Sequence, residues 1–343
     1  MKKELLRESM ERISLNKQIE VRKIISSIEK DARSKSKPKK CILCGEEQTS
    51  FCNSHTIPEF VLKTIGRDGY FCTGASLSIN VSNKETVGLK NTITFNIICD
   101  KCDNELFQKY ENPDEYDNRI NNEILSEIAL KNYLRTYSKR LIEKEIYTFL
   151  SKEGNIVDTK LVAIDLDINE AIQHIEYAKK KKLFYKIDEI DLDYRVPFAY
   201  QGEIYLTNGF DDKIINDIYL MDKKYKMQGL HICVFPLETK TKIILFIKDG
   251  DQRYRDFYKY YRKLSLEEKL YVINYMILIY EEDWVINPNY SFVINDMTTK
   301  DIIATYSEGF SDYYFSLYDT IKDYRLYSKG NVYNFLTKKM EST

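Results

Sequence analysis

Apolar residues recur at spacings near three and four from about residue 3 to 32, where Leu6, Met10, Ile13, Val21, Ile24 and Ile28 stand among Lys, Arg and Glu. That period predicts an amphipathic helix, interrupted at Lys17, that packs on the body or on a second copy of itself. The segment SKSKPKK (34–40) ends it, because Pro38 disfavours helix just before itself. IPEFVLKTI (57–65) reads as a short helix, and the β-branched alternation of TITFNIIC (92–99) as a strand. A helix is expected from Asp100 through NELFQKYE, and a longer one over about 115–149. Further on, TKLVAIDLD (159–167) reads as a strand and INEAIQHIEYAKKKK (168–182) as a helix. Two apolar runs in 229–250 meet at 238–240 as a hairpin. SLEEKLYVINYMILIYEE (265–282) reads as a helix that opens on a Ser265–Glu268 capping box.

This order of elements predicts an α+β fold: an N-terminal helix, a compact cysteine-bearing unit, then helices on an antiparallel sheet. The expected divisions are 1–40, 41–112 and 113–343. With 43% hydrophobic residues among 343, the chain can bury a sizeable core. The net charge of -1 hides an asymmetry, since residues 1–40 hold 13 Lys and Arg against 6 Asp and Glu. A basic arm on an acidic body suits a polyanionic partner. No stretch reaches the roughly 20 apolar residues that span a bilayer, and the start lacks the apolar core of a signal peptide. A cytoplasmic protein with reduced cysteines is therefore expected, with no membrane partner.

Seven cysteines are present, and four form two Cys-x-x-Cys pairs, Cys41 with Cys44 and Cys99 with Cys102, 54 residues apart. Thiolates hold zinc in a tetrahedron, and the two-residue spacing lets one turn of chain present both sulfurs to one ion. Gly45 follows the first pair, where a knuckle needs a left-handed turn. The second pair opens a predicted helix, whose positive end favours thiolates. The four cysteines are thus the ligand set of a structural zinc ion. Cys52, Cys72 and Cys233 have no pairing pattern and read as core residues, as do His174, His231 and Trp284.

The succession CILCG, SHTIP and IICDKCD resembles the HNH, or His-Me finger, endonucleases whose ββα-metal motif surrounds a four-cysteine zinc. It is similar above all to bacterial HNH-like proteins with a Ser-His-x-Ile-Pro segment. The resemblance covers about 41–112 and implies a treble-clef-like unit that cleaves DNA or RNA. His55 then matches the general base, and Asp103 the ligand of a catalytic Mg²⁺ or Mn²⁺. The zinc is scaffold. Ser54 stands where many members carry a second acidic ligand, and Glu105 is the substitute ligand on the following helix. Asn91 and Asn96 are offset candidates for the family's central Asn, and the family's later His has no match, since His55, His174 and His231 are the only histidines. A role in bacterial defence or in a mobile element follows from the resemblance alone. The alternative is a non-catalytic, zinc-stabilised protein that binds nucleic acid. A protein-interaction role, through the first helix or the companion domain, belongs to the same alternative.

Overall fold

The computed structural model describes residues 15–74, 86–152, 158–290 except 212, 218, 219, 221, 223 and 282, and 334–338. Its helices are α1 (Leu15–Lys35), α2 (Glu59–Ile65), α3 (Asp100–Leu106), α4 (Asn122–Lys152), α5 (Asp158–Lys179), α6 (Tyr254–Tyr261) and α7 (Leu266–Tyr280). Its strands are β1 (Ser54–His55), β2 (Tyr70–Thr73), β3 (Val87–Gly88), β4 (Thr94–Phe95), β5 (Phe184–Leu192), β6 (Phe198–Ile204), β7 (Leu230–Pro236), β8 (Thr241–Lys248) and β9 (Trp284–Ile286). Seven strands form one sheet in the order β3-β2-β9-β6-β7-β8-β5, with every neighbouring pair antiparallel. The fold is α+β, as the sequence pattern predicts.

Alternation along the two central strands sorts the core into two layers. Ile232 and Val234 of β7 and Ile243 and Leu245 of β8 face α6 and α7, while Cys233, Phe235, Ile244 and Phe246 face α4, α5 and the cysteine-bearing region. Both faces are covered, which is why β7 and β8 read as continuous apolar runs. Their hairpin closes where Leu237 N–H donates to the Lys240 carbonyl at 2.8 Å, at the expected turn. The Ser265–Glu268 capping box opens α7 as expected. Trp284 is buried on β9 against Phe198 and Phe335. Residues 41–73 do not stand apart from the sheet: β2 pairs with β9, and Ile57, Val61 and Phe71 share a core with Ile128, Phe235 and Val285.

Four element readings change. The run 159–167 is helical, part of the single helix α5. Its local alternation carries no burial pattern: Ile164 is buried but Val162 is 53% exposed, and burial returns at Ala171, Ile175 and Ala178, a helical period. No Gly or Pro separates this run from the helical sequence that follows it, so the helix continues through. The strand expected over 92–99 shortens to β4, because Ile97 turns to meet the first cysteine pair through Ile42 N–H to Ile97 O (3.1 Å), and Ile98 accepts from Cys52 N–H (3.1 Å) ahead of β1. α3 ends at Leu106, short of Glu111, and the helix expected from 115 begins at Asn122 after a single turn, Pro113–Tyr116, capped by Asn112. The N-terminal helix is seen from Leu15 to Lys35 and packs along α4; its expected first part lies outside the described residues. Among the described residues, no helix is long and apolar enough to cross a membrane.

Candidate metal centre and Ser54–Asp103 cluster

The two cysteine pairs converge. The sulfurs of Cys41, Cys44, Cys99 and Cys102 all lie within 4.8 Å of one another, and Cys44 and Cys99 are 3.9 Å apart. A zinc–sulfur bond of about 2.3 Å in a tetrahedron sets sulfur–sulfur edges at roughly 3.8 Å, so the cluster fits a zinc ion. Local backbone produces this shape. Gly45 adopts φ +76°, the left-handed turn that lets its N–H reach the Cys41 carbonyl at 2.8 Å. Cys99 caps α3 and Cys102 sits in its first turn. Burial opposes ionisation of Cys41, but N–H donors from Cys44, Cys99 and Leu43 outweigh it and bring the thiol down to about 7. Burial among the other sulfurs pushes Cys102 up; a bound cation would deprotonate both. Lys179 of α5 donates to the Leu43 carbonyl at 2.6 Å, fastening the knuckle to the helical layer.

The cluster draws β1 to the start of α3. β1 pairs antiparallel with β4, Ser54 opposite Phe95 and His55 opposite Thr94. Ser54 is buried, and its hydroxyl donates to Asp103 Oδ1 at 2.7 Å. Two of the sequence-predicted residues therefore meet. His55 is half-buried, and its Nε2 lies 2.9 Å from the Leu89 carbonyl. A carbonyl only accepts, so Nε2 carries the proton and Nδ1 the lone pair in the neutral ring. Glu105 is exposed and two positions, about 200° of helix, round from Asp103, so α3 does not bring it to the centre. Asn96 donates to the Cys52 carbonyl at 3.0 Å and to Asn53 Oδ1 at 3.2 Å, bracing the chain before β1. Asn91 lies in a short turn after Gly88 and is exposed.

Sequence reasoning missed a central member. Lys131 of α4 is 1% exposed, and its ammonium donates to Ser54 Oγ at 2.7 Å and to Asp103 Oδ1 at 2.8 Å. It also lies 3.9 Å from Glu111 Oε1 and 4.2 Å from the Phe107 ring centroid. Glu111 Oε2 accepts from the Glu59 N–H, and burial raises the Glu111 carboxyl above the usual carboxylate range. The signal was present: Ile124, Ile128, Lys131 and Arg135 share one face of the helix, so two cations sit on an apolar stripe. Arg135 binds both oxygens of Asp283 (2.9 and 3.1 Å) and the Thr94 carbonyl at 2.8 Å.

His174 and His231 belong to a separate buried network. His231 meets Asn132 and Tyr133 at 3.1 Å each, and burial drives its pKa well down. Burial and Lys248 bring His174 down to about 3, so both rings are neutral.

No protein-family model, curated protein or solved structure matches the chain.

Proposed function

We propose that the chain hydrolyses phosphodiester bonds of DNA or RNA, with His55 as general base. The observation that carries this reading is the fixed tautomer of His55 on a strand whose preceding residue, Ser54, touches Asp103. With Nε2–H held by Leu89, Nδ1 takes a proton from water as the water oxygen bonds to phosphorus. The ester P–O bond then breaks, and the departing oxygen takes a proton from solvent. The β1–β4–α3 arrangement around the four cysteines supports the resemblance to HNH nucleases, and the basic segment 34–40 runs directly into the knuckle. The zinc ion is scaffold in this reading. The Mg²⁺ or Mn²⁺ that the resemblance implies does not fit between Ser54 and Asp103, where Lys131 already binds both oxygens.

The same lysine favours a second reading, a zinc-stabilised protein that binds nucleic acid or a protein partner without cleaving. Labelled single- and double-stranded DNA and RNA, incubated with the zinc-loaded protein with and without added Mg²⁺ or Mn²⁺, separate the two. Products that the wild type forms and His55→Ala does not are expected. Binding without products, under every condition, establishes the second reading.

A further inference from the structure

We propose that Lys131 is the resident cation of this centre, its ammonium standing between Ser54 and Asp103 in place of a divalent ion. The ammonium has three N–H donors. Two are committed at 2.7 and 2.8 Å to the oxygens that would otherwise be the metal's nearest ligands. The third side faces the Phe107 ring at 4.2 Å, with Tyr110 at 5.5 Å and Phe95 at 6.0 Å, and Glu111 Oε1 lies at 3.9 Å. Faces of aromatic rings attract a cation, so the cage favours the charge it encloses.

The lysine does not reach in from solvent. It is delivered from within by α4, whose residues from Ile124 to Leu134 are all buried. A lysine is almost never fully buried unless paired, and here Asp103 supplies the pair. Its presence also fixes the serine: an ammonium only donates, so Ser54 Oγ accepts from Lys131 and turns its own proton to Asp103. Both lone-pair donors of a metal site are thereby oriented inward. A divalent ion that took the same Asp103 oxygen would sit within a few ångströms of a second positive charge that cannot leave, because its stem is walled in by the core.

The inference concerns the same residues as the hydrolase reading but is read from metal binding and not from turnover, so either can fail while the other stands. Mn²⁺ is titrated into the zinc-loaded full chain, and the free-ion signal is followed by electron paramagnetic resonance. The wild type and Asp103→Asn should bind Mn²⁺ alike. Lys131→Ala leaves Ser54, Asp103 and Glu111 around a vacated cation position, and it should bind Mn²⁺ tighter than the wild type by about tenfold or more. Uptake by the wild type that Asp103→Asn abolishes overturns the proposal. So does a folded Lys131→Ala that gains no Mn²⁺ affinity. If Lys131→Ala does not fold, the comparison of wild type with Asp103→Asn decides alone.

Discussion

Residues with charge inside the fold divide into those whose neighbours preserve the charge and those whose neighbours remove it. Asp283 is of the first kind: burial opposes its charge, but Arg135 and Lys139 hold it well below the usual carboxylate range. Glu203 is of the second: its side chain is 2% exposed, 3.8 Å from His231 Nε2, and accepts from Tyr205 at 2.8 Å. Burial pushes it up to about 8, although the Tyr205 hydroxyl pulls the other way. Unfolded, the group ionises near 4.5; folded, it keeps its proton to about 8. Between those values the folded state binds more protons, so stability falls as pH rises through the window. Asp251, raised to about 6, adds to the fall over the lower part of the window. Chemical denaturation across this range should show a shallower decline for Glu203→Gln than for the wild type. Equal slopes would mean that Glu203 is ionised in the folded protein. Among single residues, the cysteines were the most legible in sequence, because metal chemistry dictates their spacing. Ser54 and Asp103 were legible only through the cysteines that bring them together. Lys131 is marked in the sequence only by its place on the apolar stripe of α4, and its partners are not, because they lie 77 and 28 positions away.

Elements were legible where one signal dominated. α7 carries its own start in Ser265 and Glu268, with Ser265 Oγ accepting from the Glu268 N–H and the Glu268 carboxylate accepting from Ser265 N–H. Ser265→Ala should cost about 1 kcal/mol of stability, read as a shift in denaturation midpoint with an unchanged slope. No shift would show that the helix start is held by packing of Leu270 and Val272 alone. α5 was misread where two signals competed. Alternation over Val162, Ile164, Leu166 and Ile168 suggests a strand, while the absence of any breaker before Asn169 favours one helix. Packing against α4 decides for the helix, and that choice is not written in the local sequence. The shortness of β4 has a similar cause, since the Ile97 carbonyl serves the cysteine knuckle through Ile42 and the Ile98 carbonyl serves Cys52.

In the whole molecule, the cysteine-bearing region and the sheet share one core. The sequence suggests a compact unit over 41–112; in the structure β2 pairs with β9, and Phe71 packs on the α4 side of the core. Four thiolates can contribute on the order of 10 kcal/mol to folding when zinc binds. Cys99→Ser should therefore lose the metal and lower the melting temperature of the whole chain in one transition, followed by calorimetry beside zinc analysis. A variant that loses zinc but melts in two steps, the second at the wild-type temperature, would show that the sheet stands without the metal. The architecture was legible as α+β, but not the sharing of a core, because β2 and β9 are separated by most of the chain.

The most direct test of the account is the rate at which zinc-loaded protein cuts nucleic acid with and without the His55 imidazole. His55→Ala should keep its zinc and its melting temperature, because the ring's hydrogen bond to Leu89 is at a half-buried site. Loss of a general base typically slows a reaction by roughly a hundredfold to ten-thousandfold, and a fall of that size in the cleavage rate is the predicted result. Cleavage by His55→Ala at the wild-type rate would contradict it.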